Sequence, residues 1–316
     1  MYACSPAWPG DWINETDLQA CIQQLSGRLA PSPWGPDHVS LNHGLHFTGG
    51  EPFLNYPLLL RAVELSEAAA IPSTFVETNA FWCRTDEKTR DKLAELRSAG
   101  LKGILVSINP YYAEFVPFER SERAVRISLE IFGDNVLVYQ MSYYKMFRRL
   151  GFRGLISPDE WKAATGRHDL AGVELFLMGR AARQLRDLYP AYAAERFSRK
   201  PCRPPFLRTW HNHLDNYGNI MPGYCGGISL GSWRDLGQLI HTGIDLETRP
   251  VLGYLVRGDM AGLLDYACKR GFQCTGRGYV SKCHLCLELR AFLARNGSYP
   301  ELAPRIFYDI LELEDA

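Results

Sequence analysis

Leu45-His46-Phe47-Thr48-Gly49-Gly50-Glu51-Pro52-Phe53-Leu54 reads as an apolar strand that stops at a double glycine and continues as a helix. Paired glycines leave backbone N–H and C=O groups open to a ligand, because no Cβ covers them. The proline fixes φ and cannot continue a strand ladder. Glu51 is thereby left at the carboxyl end of a strand, the edge at which α/β sheets and barrels place their ligands. The same residues also make an ordinary surface turn, so the surroundings decide.

Outward from this turn, strand and helix patterns alternate through the first two-thirds of the chain, as a parallel α/β sheet requires. Strands are predicted over 45–48, 73–79, 103–110, 135–141 and 172–178, and helices over 57–70, 85–99, 119–132 and 180–188. Gly100 and Gly133 stand where two of those helices should end. Roughly 30 residues per strand–helix unit is the length a βαβ crossover needs. Thr78-Asn79 ends the second strand, and Ser107 and Asn109 end the third. Such residues either line a strand-end site or cap the next element. Arg180 faces that site or simply starts a helix.

Of 316 residues, 46% are hydrophobic and 22% charged, the balance of a globular protein. Lys+Arg and Asp+Glu are both 35, so no basic excess draws the chain to nucleic acid or anionic lipid. No apolar run reaches the length of a membrane span, and the N-terminus lacks a signal-peptide layout. A cytoplasmic location is expected. Arg199-Lys200-Pro201-Cys202-Arg203-Pro204-Pro205 ends the alternation and divides the chain into 1–198 and 199–316.

Nine cysteines are present, six of them beyond residue 200. Clustered cysteines in a reducing compartment point to metal rather than disulfides. Asp215-Asn216-Tyr217-Gly218-Asn219 is a hairpin signal that brings Cys202 and Cys225 together. Cys283-His284-Leu285-Cys286 is a C-x2-C knuckle opening a predicted helix over 287–294. Thiolates two residues apart face one metal, and a distant pair completes the set for zinc or iron–sulfur alike. His211 and His213 share one side of a strand and are secondary candidates. Cys268 and Cys274 have no metal spacing, and Cys21 and Cys83 read as small buried residues.

The Gly49-Gly50-Glu51-Pro52 turn resembles the signature of the radical S-adenosylmethionine (SAM) enzymes, and the polar strand ends resemble further family positions. That resemblance implies an α/β fold: an incomplete parallel (β/α)6 partial TIM barrel, lacking its first strand, with a small cysteine-rich C-terminal α+β domain. It implies SAM binding by Gly49, Gly50, Glu51, Pro52, Thr78, Asn79, Ser107 and Asn109. It also implies reductive cleavage of SAM to a 5′-deoxyadenosyl radical that abstracts hydrogen from an unknown substrate, a peptide or protein by family analogy. An electron donor such as a flavodoxin or ferredoxin would be required.

The tail resembles the SPASM or twitch extension of that family. This implies an auxiliary [4Fe–4S] cluster on Cys202, Cys225, Cys283 and Cys286, although the full seven-cysteine pattern is absent. The family's SAM cluster, a [4Fe–4S] on a C-x3-C-x2-C loop, has no counterpart spacing in this chain. The opening Met1-Tyr2-Ala3-Cys4 resembles the continuation of such a loop, so a truncated N-terminus is expected, with Cys4 a neighbour of the cluster. The alternative is a degenerate, non-catalytic barrel carrying a structural zinc module on the same four cysteines.

Overall fold

A computed structural model describes residues 5, 7–165, 178–184, 186–199, 202, 211–223 and 225–313. The chain forms two compact units, one of Leu18–Leu175 and one of Met1–Asp17 with Phe176–Ala316. The position expected for the domain boundary, 198/199, falls inside the latter.

In the Leu18–Leu175 unit, β1 (His46–Phe47), β2 (Phe75–Thr78), β3 (Gly103–Ser107) and β4 (Val136–Tyr139) form a four-stranded parallel sheet in sequential order. The strands connect through α1 (Tyr56–Ala68), α2 (Asp86–Ser98) and α3 (Phe118–Phe132), and α4 (Met141–Arg149) follows β4. The helix starts are set locally. Asn55 accepts from Leu58 N at α1, and Thr85 from Lys88 N at α2, each satisfying an orphan donor of the first turn. The strands are shorter than expected, β1, β2 and β4 at both ends and β3 at its carboxyl end only. Asn109 and Pro110, read as the end of a strand, instead open a single helical turn, Pro110–Ala113. The fifth predicted strand, 172–178, lies almost wholly outside the described residues.

Side chains alternate across a strand. Val76, Ile104 and Val106 join Val63, Leu93, Leu96, Ile127 and Phe147 in one core. Phe75 and Leu105 face the other way, with Val39 and the half-buried Leu41, Leu137 and Tyr139. Right-handed crossovers in monotonic strand order keep all connecting helices on one face. A doubly wound sheet would reverse its order and carry helices on both. The sheet is therefore singly wound, with a second face that no connecting helix covers.

The other unit contains the hairpin β5 (Asn212–Leu214) and β6 (Ile220–Pro222), paired antiparallel. Asp215 organises its turn by accepting from the N–H groups of Tyr217 and Asn219. Helices dominate the rest: α5 (Pro250–Arg257), α6 (Met260–Cys268), α7 (Lys282–Asn296) and α8 (Arg305–Leu313). Their core holds Leu252, Leu263, Leu285, Leu289, Leu293 and Phe307. The C-x2-C knuckle does not precede its helix as expected. Ser281 accepts from His284 N at 3.0 Å and caps α7, so Cys283 and Cys286 lie in the helix's first turns. Among the described residues no helix is long and apolar enough to cross a membrane.

Candidate functional site

A cavity opens at the carboxyl ends of β1, β2 and β3. It is lined by Thr48, Gly49, Gly50 and Glu51 from the first crossover, Glu77, Thr78 and Asn79 from the second, and Ser107 and Tyr112 from the third. Gly49 adopts φ +143°, and a Cβ at either Gly49 or Gly50 would meet nothing within 4 Å. A side chain at either position would thus start in open space.

Glu51 is 5% exposed and ties two strand ends together. Its Oε1 accepts from Thr78 Oγ1 at 2.9 Å and from Phe53 N at 3.2 Å, and its Oε2 from Asn79 N at 2.7 Å. Thr78 Oγ1 also accepts from Ala80 N and Trp82 Nε1, each at 3.0 Å, and Trp82 stacks on Phe53 with centroids 4.0 Å apart. Burial pushes the Glu51 carboxyl up to about 7, although its three donors favour the charged form; the nearby Glu77 adds to the rise. Near neutral pH the group is poised between states.

Glu77 is the residue that sequence reasoning missed. It accepts from Thr48 Oγ1 at 3.0 Å through Oε2 and from Ser107 Oγ through Oε1, so one carboxylate spans three strands. His46 Nε2 stands 3.9 Å from Glu77 Oε2. Burial holds that imidazole below its usual value against the opposing charge of Glu77. The available signal was an acidic residue inside the run Phe75-Val76-Glu77-Thr78, in step with Phe75 and therefore on the face without helices.

Six of the eight expected SAM contacts line the cavity: Gly49, Gly50, Glu51, Thr78, Asn79 and Ser107. The other two do not. Asn109 Oδ1 accepts from Tyr112 N at 3.1 Å and caps the turn Pro110–Ala113, the capping role its sequence also allowed. Pro52 is buried at the start of the 3-10 turn Pro52–Asn55. Arg180 is buried in the other unit and is not among the lining residues.

In the cysteine-rich part, the four thiols named from sequence lie within electrostatic range of one another. Burial, with Cys202, Cys286 and Cys283 adding and Arg290 opposing, pushes Cys225 up to about 12. Burial likewise takes Cys283 to about 12, with Cys286 and Cys202 adding, and it raises Cys202, with Cys286 adding. Among the described residues no three His, Cys, Asp or Glu side chains converge tightly enough to hold one metal ion. The thiols share a neighbourhood without the close set a single zinc demands. Cys268 and Cys274 are exposed; partial burial raises the Cys268 thiol, with Cys274 adding. Cys21 and Cys83 are buried, His211 and His213 pack ring to ring at 5.1 Å, and Cys4 lies outside the described residues.

No protein-family model matches the chain, and no curated protein matches it in a sequence search.

Proposed function

We propose that this chain is a radical SAM enzyme, its singly wound sheet a partial (β/α)6 barrel and its tail the carrier of an auxiliary [4Fe–4S] cluster. The observation that carries the proposal is the strand-end cavity, in which two carboxylates, Glu51 and Glu77, border a bare Gly49-Gly50 turn. Barrel enzymes use this end of their strands. A ligand bearing an ammonium and a sulfonium suits such a wall, since a cation relieves the cost of ionising a buried carboxylate. Hydroxyls of Thr48, Thr78 and Ser107 fix both carboxylates in place.

When bound and reduced by its own cluster, SAM supplies a 5′-deoxyadenosyl radical for hydrogen abstraction from a substrate. The chain's sequence holds no C-x3-C-x2-C spacing for that cluster's ligands. The work assigned to its residues is holding SAM, and holding the auxiliary cluster on Cys202, Cys225, Cys283 and Cys286. Support for that second assignment is the mutual electrostatic influence of the four thiols, a set that serves zinc or iron–sulfur alike.

Calorimetric titration with SAM tests the proposal. Measurable binding to the unchanged protein is expected, with a tenfold or greater loss in Glu51→Ala. Absence of SAM binding at millimolar concentration would refute the SAM site. Anaerobic purification should give a brown protein containing iron and acid-labile sulfide; a colourless protein with one tightly held zinc would move the function to a structural module.

A further inference from the structure

We propose that the surface beside the strand-end cavity, where Phe115 and Leu155 adjoin the cations of α4, docks an acidic, apolar segment of a peptide or protein substrate. This rests on the function proposed above, which calls for a substrate at the cavity, and it names the chemistry of the chain flanking the reacting residue.

The surface lies within the Leu18–Leu175 unit and joins the cavity through a run of hydrogen bonds. Tyr112 lines the cavity, and its carbonyl accepts from Phe115 N at 3.0 Å. Ala113 O accepts from Ile156 N, and Gly154 O from Phe118 N, each at 2.9 Å. The loop 154–156 therefore lies against the segment that leaves the cavity. These two stretches bury Val116, Phe118 and Ile156, yet they leave Phe115 72% and Leu155 55% exposed. Large apolar side chains held out of a core that takes their neighbours mark a contact surface.

Next to them the charge has one sign. From Asn135 to Pro158 the sequence holds Lys145, Arg148, Arg149 and Arg153 and no Asp or Glu, in a chain whose opposite charges balance at 35 each. Lys145, Arg148 and Arg149 follow at i, i+3 and i+4, one exposed stripe of α4. Tyr143, Met146 and Phe147 turn inward. Arg148 and Arg153 reach the same carboxylate, Glu122, at 3.4 and 3.3 Å, and both stay more than half exposed. That shared contact brings the α4 stripe to the loop carrying Leu155. Of the other carboxylates close in sequence, Glu119 is occupied by Gly154 N. Asp159 and Glu160 sit in the first turn of the helix Pro158–Ala164, and Glu114 is exposed.

The helix dipole accounts for Arg148 and Arg149, which stand in the last turn of α4. It accounts for neither Lys145 nor Arg153, nor for the exposed Phe115 and Leu155. Elsewhere in the unit arginines and carboxylates match more evenly: Arg123 and Arg126 reach Asp86, and Arg90 and Arg126 reach Glu130. Guanidiniums grip carboxylates through paired hydrogen bonds, and arginine with aromatic side chains is what binding surfaces favour. An acidic segment with apolar residues engages both halves of this surface. A phosphate backbone would use the cations and leave Leu155 without a partner.

Fluorescence anisotropy on the full chain tests this. The probe is a fluorescein-labelled peptide of alternating Glu and Leu, about twelve residues long so that it spans a helix face when extended. Binding is expected, weakening as salt is raised. A peptide with Gln in place of Glu should bind about tenfold more weakly, and so should the acidic peptide to the double variant Lys145→Glu with Arg149→Glu. Phe115→Ser should cost about fivefold. All three side chains are exposed, so circular dichroism should be unchanged. Equal affinity across the variants, or no binding at millimolar peptide, overturns the proposal. Tighter, variant-sensitive binding of single-stranded DNA or of phosphatidylserine vesicles at the same salt gives the surface to that partner and overturns it too. Calorimetry with SAM on the same samples keeps the two readings apart. The variants should bind SAM as the unchanged protein does, and an unchanged protein that binds the peptide but no SAM refutes the SAM site and not the surface.

Discussion

The rim of the parallel sheet and the thiol pocket of the helical tail present opposite electrostatic problems. At the rim, two carboxylates are crowded among hydroxyls and backbone N–H groups. In the tail, the guanidinium of Arg290 is buried near Cys225 and Cys286, a cation where the rim has anions. The rim resolves part of its conflict internally, because Glu51 has three donors and a proton to share. The tail leaves its Nε–H over. A leftover buried donor costs stability that the rim's mutually satisfied groups do not lose.

The sharpest way to break the comparison is to remove the tail's thiols. Cys283→Ala with Cys286→Ala should abolish iron and sulfide uptake in anaerobic reconstitution; retained stoichiometric iron would show that these thiols are not the ligands.

Next comes the rim's internal network. Thr78→Val removes the hydroxyl that bonds Glu51, Ala80 N and Trp82 Nε1. Leaving buried polar groups unmatched costs about 1–3 kcal/mol each, so urea unfolding should show a loss of roughly 2–4 kcal/mol. A change below half that would mean the hydroxyl's partners find others.

Protonation offers a gentler perturbation. The folded state holds the Glu51 proton up to about 7, above the ordinary value of 4.5, so between those values it binds more protons than the unfolded chain. The contribution of neutral Glu51 is complete below the lower value and is lost as pH rises through the upper one, roughly 3 kcal/mol at most. Denaturation at pH 5 and pH 8, with Glu51→Gln as the reference, should show the slope in the unchanged protein and a flatter profile in the variant. Equal slopes would remove Glu51 as its source.

The smallest effect on stability is expected from Gly50→Val. Its added atoms start in open space, so stability should shift by no more than about 1 kcal/mol, while SAM binding should fall below detection. Undiminished binding would place the ligand elsewhere.

Much of the rim was legible in the sequence because local chemistry dictated it. A strand must stop at Gly49-Gly50 and Pro52, and Thr78 and Ser107 close apolar runs. What escaped reading depends on which strands are neighbours. Glu77 gains its meaning only once β2 lies between β1 and β3, with Thr48 on one side and Ser107 on the other. Asn109 was ambiguous because an amide that caps a turn also suits a ligand, and Tyr112 N took it. In the tail the C-x2-C spacing was plain, but the start of α7 was misjudged. Ser281, three residues before His284, was the overlooked capping signal. Arg290 sits in Leu287-Glu288-Leu289-Arg290-Ala291, where nothing local distinguishes it from an arginine reaching solvent.

The capping of α7 by Ser281 also bears on the order of assembly. With Cys283 and Cys286 carried on one capped helix, two of the four proposed ligands are arranged as soon as that helix docks through Leu285 and Leu289. The chain then need recruit only the hairpin-side pair, closing the long segment between Cys225 and Cys283 at a loop entropy that grows slowly with length. On the metal reading proposed above, capture would begin at the helix and be completed by Cys202 and Cys225, so uptake should show two kinetic phases.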